Sequence, residues 1–263
     1  MTPEPRHSEI ALPDESPPSI SIVFPMYNER DYVRKTVALA LRTLAGITDD
    51  YEIVIVDDAS TDGCGEIADE LASGNDRIRV FRHEVNGRLG TTLRTGFAQA
   101  RKDIVIYSDM DLPFDLDEIR KALRVMYLND SDIVTAYRLD RTSEGPRRAL
   151  YSGVYNVLIR VFFGVRIRDI NFAFKVVRQR VLRAVALTSS GSFIDAELVI
   201  KASRAGFRIS QFGIDYFARS RGSSSLSSIP VIVNLLGEMG RFWLSLHMPR
   251  RGGGRAGNPP TAR

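Results

Sequence analysis

The sequence is poor in the residues that build disulfides and zinc sites. It contains one cysteine and three histidines among 263 residues. A single cysteine, Cys64, excludes an internal disulfide and is typical of a protein from a reducing compartment. The histidines, His7, His83 and His247, lie far apart and show none of the spacings of zinc ligands. We therefore expect neither a disulfide framework nor a zinc centre.

Long apolar segments are also missing. A helix that spans a bilayer needs about 20 consecutive apolar residues. The best candidate, residues 229–246, is interrupted by Asn234, Glu238 and Arg241. Residues 1–18 are rich in Pro, Glu, Asp and Ser and lack the apolar centre of a signal peptide. These absences predict a cytoplasmic protein without a membrane-spanning helix.

The charge is mildly basic, with a formal net charge of +4 and an isoelectric point near 9.3. Much of the excess comes from residues 138–183 and from the carboxyl-terminal tail. The interleaving of aromatic and basic residues that marks RNA-binding modules is missing, so we expect no nucleic-acid partner. The basic residues are expected to attract phosphates or an anionic membrane surface.

Between a leader (1–18) and a basic tail (249–263), both expected to be disordered, apolar strands alternate with amphipathic helices. This alternation predicts an α/β fold with a mostly parallel central sheet flanked by helices. We expect one domain over 19–228, followed by an amphipathic helix over 229–248. The predicted strands cover 20–27, 51–57, 78–82, 104–107 and 132–137, with 171–177 and 208–217 as strands of an extension. The predicted helices cover 29–44, 63–71, 89–100, 116–127, 147–163, 195–205 and 229–248.

Three of the predicted strands end in polar or acidic residues. Asp109 and Asp111 follow the apolar run 104–107, Asp57 and Asp58 follow the second strand, and Glu29 follows the first. Ligands of open α/β sheets bind beyond the carboxyl ends of the strands, so these side chains are expected to share one site. A close carboxylate pair there suits a hard divalent cation held on a diphosphate.

Four segments resemble the inverting family-2 glycosyltransferases of GT-A fold, in order and in spacing. They are residues 25–29 (Pro-Met-Tyr-Asn-Glu), 56–63 (Val-Asp-Asp-Ala-Ser-Thr-Asp-Gly), 86–90 (Asn-Gly-Arg-Leu-Gly) and 109–111, an Asp-x-Asp motif. The segments 169–175 and 219–224 resemble the polyprenyl-phosphate branch, which includes the dolichyl-phosphate mannose synthases. The sequence departs from that pattern at Pro113, where many relatives carry Gln, and at Ser225, where Lys often stands.

The resemblance implies a nucleotide-sugar site whose diphosphate is held through Mg²⁺ or Mn²⁺ by Asp111, with Asp109 on the metal or the ribose. It places Asp57 or Asp58 on the base edge. The remaining donor contacts that it implies are Pro25, Tyr27, Glu29, Gly87 and Met110. Two simpler interpretations stay open: Asp109 and Asp111 could cap the next helix, and Asp57 and Asp58 could serve a turn and helix cap.

The resemblance also implies a site for the anionic acceptor and the leaving diphosphate. Arginine suits this task because its guanidinium binds phosphate through two parallel hydrogen bonds. Arg219, with Gly222 and Ser224, would close over the diphosphate from a mobile loop. Arg147 and its neighbour Arg148 could instead form a solvated helix start. The acceptor-phosphate candidates are Arg138, Arg147, Ser152, Arg219 and Ser224.

Two possible mechanisms differ in whether the enzyme needs a general base. A hydroxyl acceptor must lose a proton to a carboxylate, whereas a lipid phosphate is already anionic and needs only placement. Asp195 and Glu197 stand where hydroxyl-using relatives carry the base. Two helical residues at this spacing cannot face one way, so we expect one at the site and the other at the surface. Asp169 is a third candidate, with a salt bridge to Arg166 or Arg168 as the alternative.

The helices 147–163 and 229–248 are apolar over broad faces and carry basic flanks. Such helices can lie in a membrane interface and present a polyprenyl tail. Core packing or a dimer interface would explain the same pattern.

The sequence thus predicts a hexosyltransferase similar to dolichyl-phosphate β-D-mannosyltransferase, peripheral on the cytoplasmic face of a membrane. It would move mannose or glucose, from GDP-mannose or UDP-glucose, to a polyprenyl phosphate with inversion. One alternative is transfer to a hydroxyl of a soluble saccharide or metabolite. Another is a non-catalytic sugar-nucleotide-binding subunit that supports a membrane-protein partner.

Overall fold

The computed structural model describes residues 17–140, 146–216 and 229–247, without the side chains of 146–150, 229–232 and 247. All of the expected leader except residues 17 and 18, and the whole expected tail, lie outside this range.

The fold consists of a seven-stranded sheet flanked by eight described helices. Strands and helices alternate along most of the chain, as predicted. In chain order the elements are β1 (Ile20–Met26), α1 (Val33–Ala45), β2 (Tyr51–Asp57), α2 (Cys64–Ser73), β3 (Ile78–Arg82), α3 (Leu89–Gln99), β4 (Ile104–Ser108), α4 (Glu118–Leu128), β5 (Ile133–Arg138), α5 (Pro146–Phe163), β6 (Phe174–Arg178), α6 (Gln179–Ala184), α7 (Ile194–Arg204), β7 (Ile209–Ile214) and α8 (Ile229–His247).

The strand order is β3-β2-β1-β4-β6-β5-β7, and β6 alone runs antiparallel to its neighbours β4 and β5. The prediction that residues 171–177 form a strand of an extension was wrong, because β6 lies inside the central sheet. The other late strand, β7, lies at the edge of that sheet and extends it. The β6 residues Phe174, Val176 and Val177 are buried, as in a strand covered on both faces. Strand order depends on long-range pairing, which local periodicity does not encode.

Two apolar layers cover the sheet. Side chains of β1 and β2 such as Ile22 and Ile53 pack with α1, α2 and α4, whereas Val23 and Val54 on the opposite face pack with α3 and α7. A third cluster joins α5, α7 and α8. Helix α8 contributes Met239 and Phe242 to it, so the inner face of this helix belongs to the core of the domain.

Most predicted boundaries moved by one to four residues, two of them because a turn precedes the element, and one helix was missed. Residues 29–32 form a turn after Asn28, whose φ is 55°, so α1 begins at Val33. Residues 169–172 form another turn, closed by the Phe172 amide on the Asp169 carbonyl at 3.1 Å, so β6 begins only at Phe174. The short helix α6 was not predicted.

Candidate functional site

The sheet register brings the predicted site residues to one edge. Met26 at the end of β1 pairs with Asp57 at the end of β2. Ser108 at the end of β4 pairs with Phe174 at the start of the antiparallel β6. The loops after β1, β2, β4 and β5 and the loop before β6 therefore line the same edge of the sheet.

The turn at residues 109–111 is held in place by a hydrogen bond from helix α1. Met110 is buried, and its carbonyl accepts a 2.5 Å hydrogen bond from the buried Thr36 hydroxyl of α1. Leu112 follows with a φ of 44°, which bends the chain sharply. The predicted donor contact Met110 is thus a core residue whose carbonyl is already bonded to α1. Asp109 and Asp111 are half-buried on either side of it.

The chemistry of this turn fits a hard divalent cation. Both candidate ligands are carboxylates, which Mg²⁺ and Mn²⁺ prefer over nitrogen or sulfur. In the described ranges no three Asp, Glu, His or Cys side chains come together as a complete metal site. One or two carboxylates are enough for a cation whose other ligands are phosphate oxygens and water.

The first two loops of this edge are joined to each other. The Asn28 amide donates to the Ser60 hydroxyl at 3.0 Å, and the Thr61 amide donates to the Asn28 side chain at 2.8 Å. Asp62 accepts from the amides of Cys64 and Arg30, which gives it a structural role in the turn. Beside this frame Tyr27 is exposed, and the predicted donor contacts Pro25 and Glu29 are half-buried.

Asp57 and Asp58 are both buried at the end of β2 and have different partners. Asp57 accepts from the Ser60 amide at 3.0 Å, which is turn chemistry. Asp58 accepts from the amides of Gly87 and Arg88, both at 2.9 Å, and contacts Nδ1 of His83 at 2.6 Å. Asp58 therefore fixes residues 86–88, the glycine loop in front of α3. The amide of Gly87, a predicted donor contact, is bonded to this carboxylate.

Arg138 and Asp169 form a buried, two-pronged ion pair. The guanidinium Nε lies 2.7 Å from one carboxylate oxygen and a terminal nitrogen lies 2.9 Å from the other. The predicted alternative for Asp169 was a salt bridge to Arg166 or Arg168, and Arg138 takes their place. The guanidinium also lies over the rings of Phe172 and Tyr216. Arg138 is thus held in one orientation at the end of β5.

Asp195 belongs to a buried polar group that the sequence analysis missed. Its carboxylate accepts from the Lys175 ammonium at 2.5 Å and from the Tyr107 hydroxyl. Burial raises the pKa of Tyr107 well above its usual range, and the charges of Asp195 and Asp109 add to the effect, so the hydroxyl stays a donor. A lysine inside the apolar run 174–177 is the signal that could have revealed this group.

Glu197 is fully buried, so the prediction that one member of the Asp195 and Glu197 pair lies at the surface was wrong. Its carboxylate accepts from the amide and hydroxyl of Thr188, from the Ser189 amide and from Lys201, at 2.6–3.1 Å. Burial alone would raise the pKa of Glu197, but the bonds from Lys201, Ser189 and Thr188 outweigh it and lower the pKa. Glu197 holds the chain between α6 and α7.

Replacing Glu197 by Gln is expected to make stability less dependent on acid pH. A folded-state pKa below the unfolded value of about 4.3 adds stability that is complete above that value and is lost as pH falls through the folded pKa. The variant should therefore be less stable than the wild type by about 1–3 kcal/mol at neutral pH, the usual contribution of hydrogen bonds to a charged group. The difference in unfolding free energy between variant and wild type, measured by urea unfolding between pH 7 and pH 3, should shrink as the pH falls. The exposed Glu66→Gln is the control, and a gap of constant size would contradict the expectation.

Several acceptor candidates lie outside the described residues. These are Arg219 and Ser224, together with Arg221 and Gly222 of the same segment. Arg147 and Arg148 are in α5, but their side chains are not described. Ser152 is half-buried one turn further along α5.

Comparisons with known proteins agree on one protein family. Residues 21–188 match the family described as Glycosyl transferase family 2. The chain is 30% identical over 234 residues to Glycosyltransferase AglD of Haloferax volcanii, covering 86% of this chain and 37% of that protein. It is 28% identical over 213 residues to the dolichol-phosphate mannosyltransferase of Pyrococcus furiosus, covering 79% of this chain and 59% of that protein. The chain thus spans less than two thirds of the length of these two relatives.

A third relative is of similar length to this chain. The undecaprenyl-phosphate mannosyltransferase of Micrococcus luteus is 25% identical over 217 residues, covering 78% of this chain and 86% of that protein. Among solved structures, the glucosyl-3-phosphoglycerate synthase of Mycobacterium tuberculosis with Mn²⁺, uridine diphosphate and phosphoglyceric acid superposes with a TM-score of 0.66 at 20% identity, over 89% of this chain and 81% of that chain. The mannosyltransferase PcManGT of Pyrobaculum calidifontis with GDP-mannose and Mn²⁺ gives 0.64 at 16% identity, over 89% and 67%.

Proposed function

The chain belongs to glycosyl transferase family 2 and has its GT-A α/β fold, and from that premise we propose that it transfers a hexose from a nucleoside-diphosphate sugar to a polyprenyl phosphate with inversion. Two of its relatives are named as mannosyltransferases of dolichol phosphate and undecaprenyl phosphate, which supports this acceptor class. GDP-mannose and UDP-glucose are the donors to test first.

One observation supports the choice of a phosphate acceptor: each of the three candidate bases already has hydrogen-bond or ion-pair partners. Asp195 is bonded to Lys175 and Tyr107 inside the core, and Glu197 is bonded to the chain before α7. Asp169 forms the two-pronged ion pair with Arg138. A phosphate acceptor needs no proton removed, so it suits a site in which these three described carboxylates are already bonded to other groups.

The proposed mechanism is a direct displacement at the anomeric carbon. Asp111 and Asp109 would hold Mg²⁺ or Mn²⁺, which when bound neutralises the charge of the departing diphosphate. Tyr27 and Asp57 would border the nucleoside. Arg138, kept in place by Asp169, would draw the acceptor phosphate to the same edge of the sheet.

A transfer assay tests the proposal. The protein would be given GDP- and UDP-sugars with Mg²⁺ or Mn²⁺, with and without a short polyprenyl phosphate. Formation of the lipid-linked sugar supports the proposal and identifies the donor. Donor consumption with only soluble hydroxyl acceptors would replace it by the soluble-acceptor alternative. Specific donor binding without turnover would favour the non-catalytic subunit with its membrane-protein partner.

The outer faces of α5 and α8 support a peripheral position on a membrane. Tyr151, Val154, Val157 and Val161 follow one another at helical spacing on α5 and are 47–72% exposed. On α8, Val233 and Leu244 are exposed while Met239 and Phe242 pack inward. None of the described helices is long and apolar enough to cross a bilayer. An exposed apolar surface of this kind can lie in the membrane interface.

The double change Val157→Asp and Val161→Asp is expected to lower binding to vesicles at least tenfold. Burying one valine contributes about 1.5–3 kcal/mol, and about 1.4 kcal/mol is a factor of ten in affinity. Co-sedimentation with vesicles that contain anionic lipid measures the effect. Leu128→Asp is the control, because Leu128 is 66% exposed on α4, which packs in a different core cluster from α5 and α8. Equal vesicle binding by the two variants would show that the exposed face of α5 does not contact the membrane.

A further inference from the structure

The segment between α6 and α7, residues 188–193, borders the reacting edge of the sheet. The Gly90 amide in the first turn of α3 donates to the Ser190 carbonyl at 2.9 Å. A Cβ on Gly90 would overlap the Ser189 carbonyl, so the two backbones are in direct contact. Helix α3 follows the glycine loop that Asp58 holds. The segment 188–193 therefore rests against the donor side of the site.

The other end of the segment leads to the turn at residues 109–111, called the metal turn below because it carries the proposed metal ligands Asp109 and Asp111. Helix α7 begins at Ile194, and its first-turn residue Asp195 is bonded to the Tyr107 hydroxyl. Tyr107 lies two residues before Asp109 in the chain. A shift of residues 188–193 would thus be transmitted both to α3 and to β4, the strand that leads into the turn at residues 109–111.

Two carboxylates hold this segment by its backbone. Glu197 of α7 binds its beginning, at Thr188 and Ser189. Glu238 of α8 binds its end: one oxygen accepts from the Gly191 amide at 3.0 Å and the other from the Phe193 amide at 3.4 Å. A Cβ on Gly191 would overlap the Glu238 carboxylate, so the glycine permits this contact.

Glu238 is the one acidic residue of the apolar helix α8. Its carboxylate is turned away from the exposed face of Val233 and Leu244 and toward the segment. The described core residues of α8, Met239 and Phe242, pack the helix against α5 and α7 through apolar contacts that need no charge. The position of the carboxylate is explained by the two amides that it binds.

We propose that Glu238 is a positioning residue: it sets segment 188–193 against α3 and the metal turn and so makes α8 part of the catalytic unit. The inference rests on the proposed function for its activity measurement. Within the described ranges, the hydrogen bonds of Glu238 go to Gly191 and Phe193 and to no residue proposed to hold the donor. Its loss should therefore lower the rate of transfer and leave donor affinity unchanged, because small misplacements of a site reduce the rate of the chemical step.

The test compares Glu238→Ala, Glu238→Gln and the exposed Asn234→Ala of the same helix in the full chain. Hydrogen exchange is measured on the peptide that covers residues 188–193, beside steady-state transfer to polyprenyl phosphate and the Kd of the donor. We expect Glu238→Ala to exchange at least tenfold faster at Gly191 and Phe193, to lose about tenfold in kcat and to keep its donor Kd within twofold. Glu238→Gln should lie within threefold of the wild type in kcat, because its amide oxygen can still accept from Gly191. Asn234→Ala should match the wild type.

Unchanged exchange or unchanged kcat in Glu238→Ala would overturn the inference. So would a Gln variant as slow as the Ala variant. Gly90→Ala, which displaces the same segment from the side of α3, should reproduce the loss of kcat even if Glu238→Ala fails to fold. If the wild type transfers nothing to any lipid phosphate, the proposed function fails, while the exchange measurement still decides the contact of Glu238.

Discussion

Asp111→Ala is expected to lower the rate of sugar transfer by more than about 100-fold. Loss of residues that merely support a metal ligand commonly costs 10–100-fold in affinity or activity, so loss of a proposed ligand itself should cost at least as much. The backbone of this turn is held independently by Thr36 through the Met110 carbonyl, so the protein should still fold. Steady-state transfer at saturating Mn²⁺ measures the rate, and a thermal-shift titration with Mn²⁺ and a nucleoside diphosphate measures the loss of binding.

Asp49→Ala is the matched control for this change. Asp49 is exposed and lies before β2, at the opposite edge of the sheet from the metal turn. Its replacement should leave both transfer and the thermal shift as in the wild type. Activity above about a tenth of the wild type in Asp111→Ala would exclude Asp111 as the main metal ligand.

Asp195→Ala is expected to lower the free energy of unfolding by about 3–5 kcal/mol, which is the usual cost of removing one partner of a buried ion pair. Lys175 is fully buried, and Asp195 is its one acidic partner within the described ranges. The ammonium would remain in the core without a counter-charge. Because a domain of ordinary stability has about 5–15 kcal/mol, this variant should unfold at clearly lower urea concentration.

A second substitution tests whether the unpaired Lys175 ammonium causes the loss of stability in Asp195→Ala. If the uncompensated ammonium is responsible, adding Lys175→Met to Asp195→Ala should restore part of the stability, and the double-mutant cycle gives the coupling. The conservative Asp195→Asn should still transfer to a lipid phosphate, since the proposed mechanism uses no base there. Complete loss of transfer in a folded Asn variant would instead favour the hydroxyl acceptor and a basic role for Asp195.

The sequence predicts the part of the site that follows continuous strands. The apolar runs of β1, β2 and β4 identify buried parallel strands, and the residues after them must meet at one edge. The positions of Asp57, Asp58, Asp109 and Asp111 followed from this argument alone.

The pairings across the site could not be predicted in the same way. Whether Asp169 meets Arg138 or Arg166 depends on the path of a loop between elements far apart in the chain. Lys175 stands out in an apolar strand, but its partner Asp195 lies 20 residues away on a helix. Helical spacing showed only that Asp195 and Glu197 face different ways, and it does not encode what each of them meets.

The place of β6 in the sheet has a consequence for how the chain folds as it is synthesised. The strands β1 to β4 can assemble in the order β3-β2-β1-β4 as soon as residue 108 is available. Strand β5 has only β6 and β7 as neighbours, both later in the chain, so it must wait without a partner. Joining Ile104 to Arg178 closes a loop of more than 70 residues, and such distant pairings form slowly. The edge formed by the loops after β1, β2 and β4, with Asp57, Asp109 and Asp111, is therefore built first, and the part that holds Arg138 is added when β6 inserts.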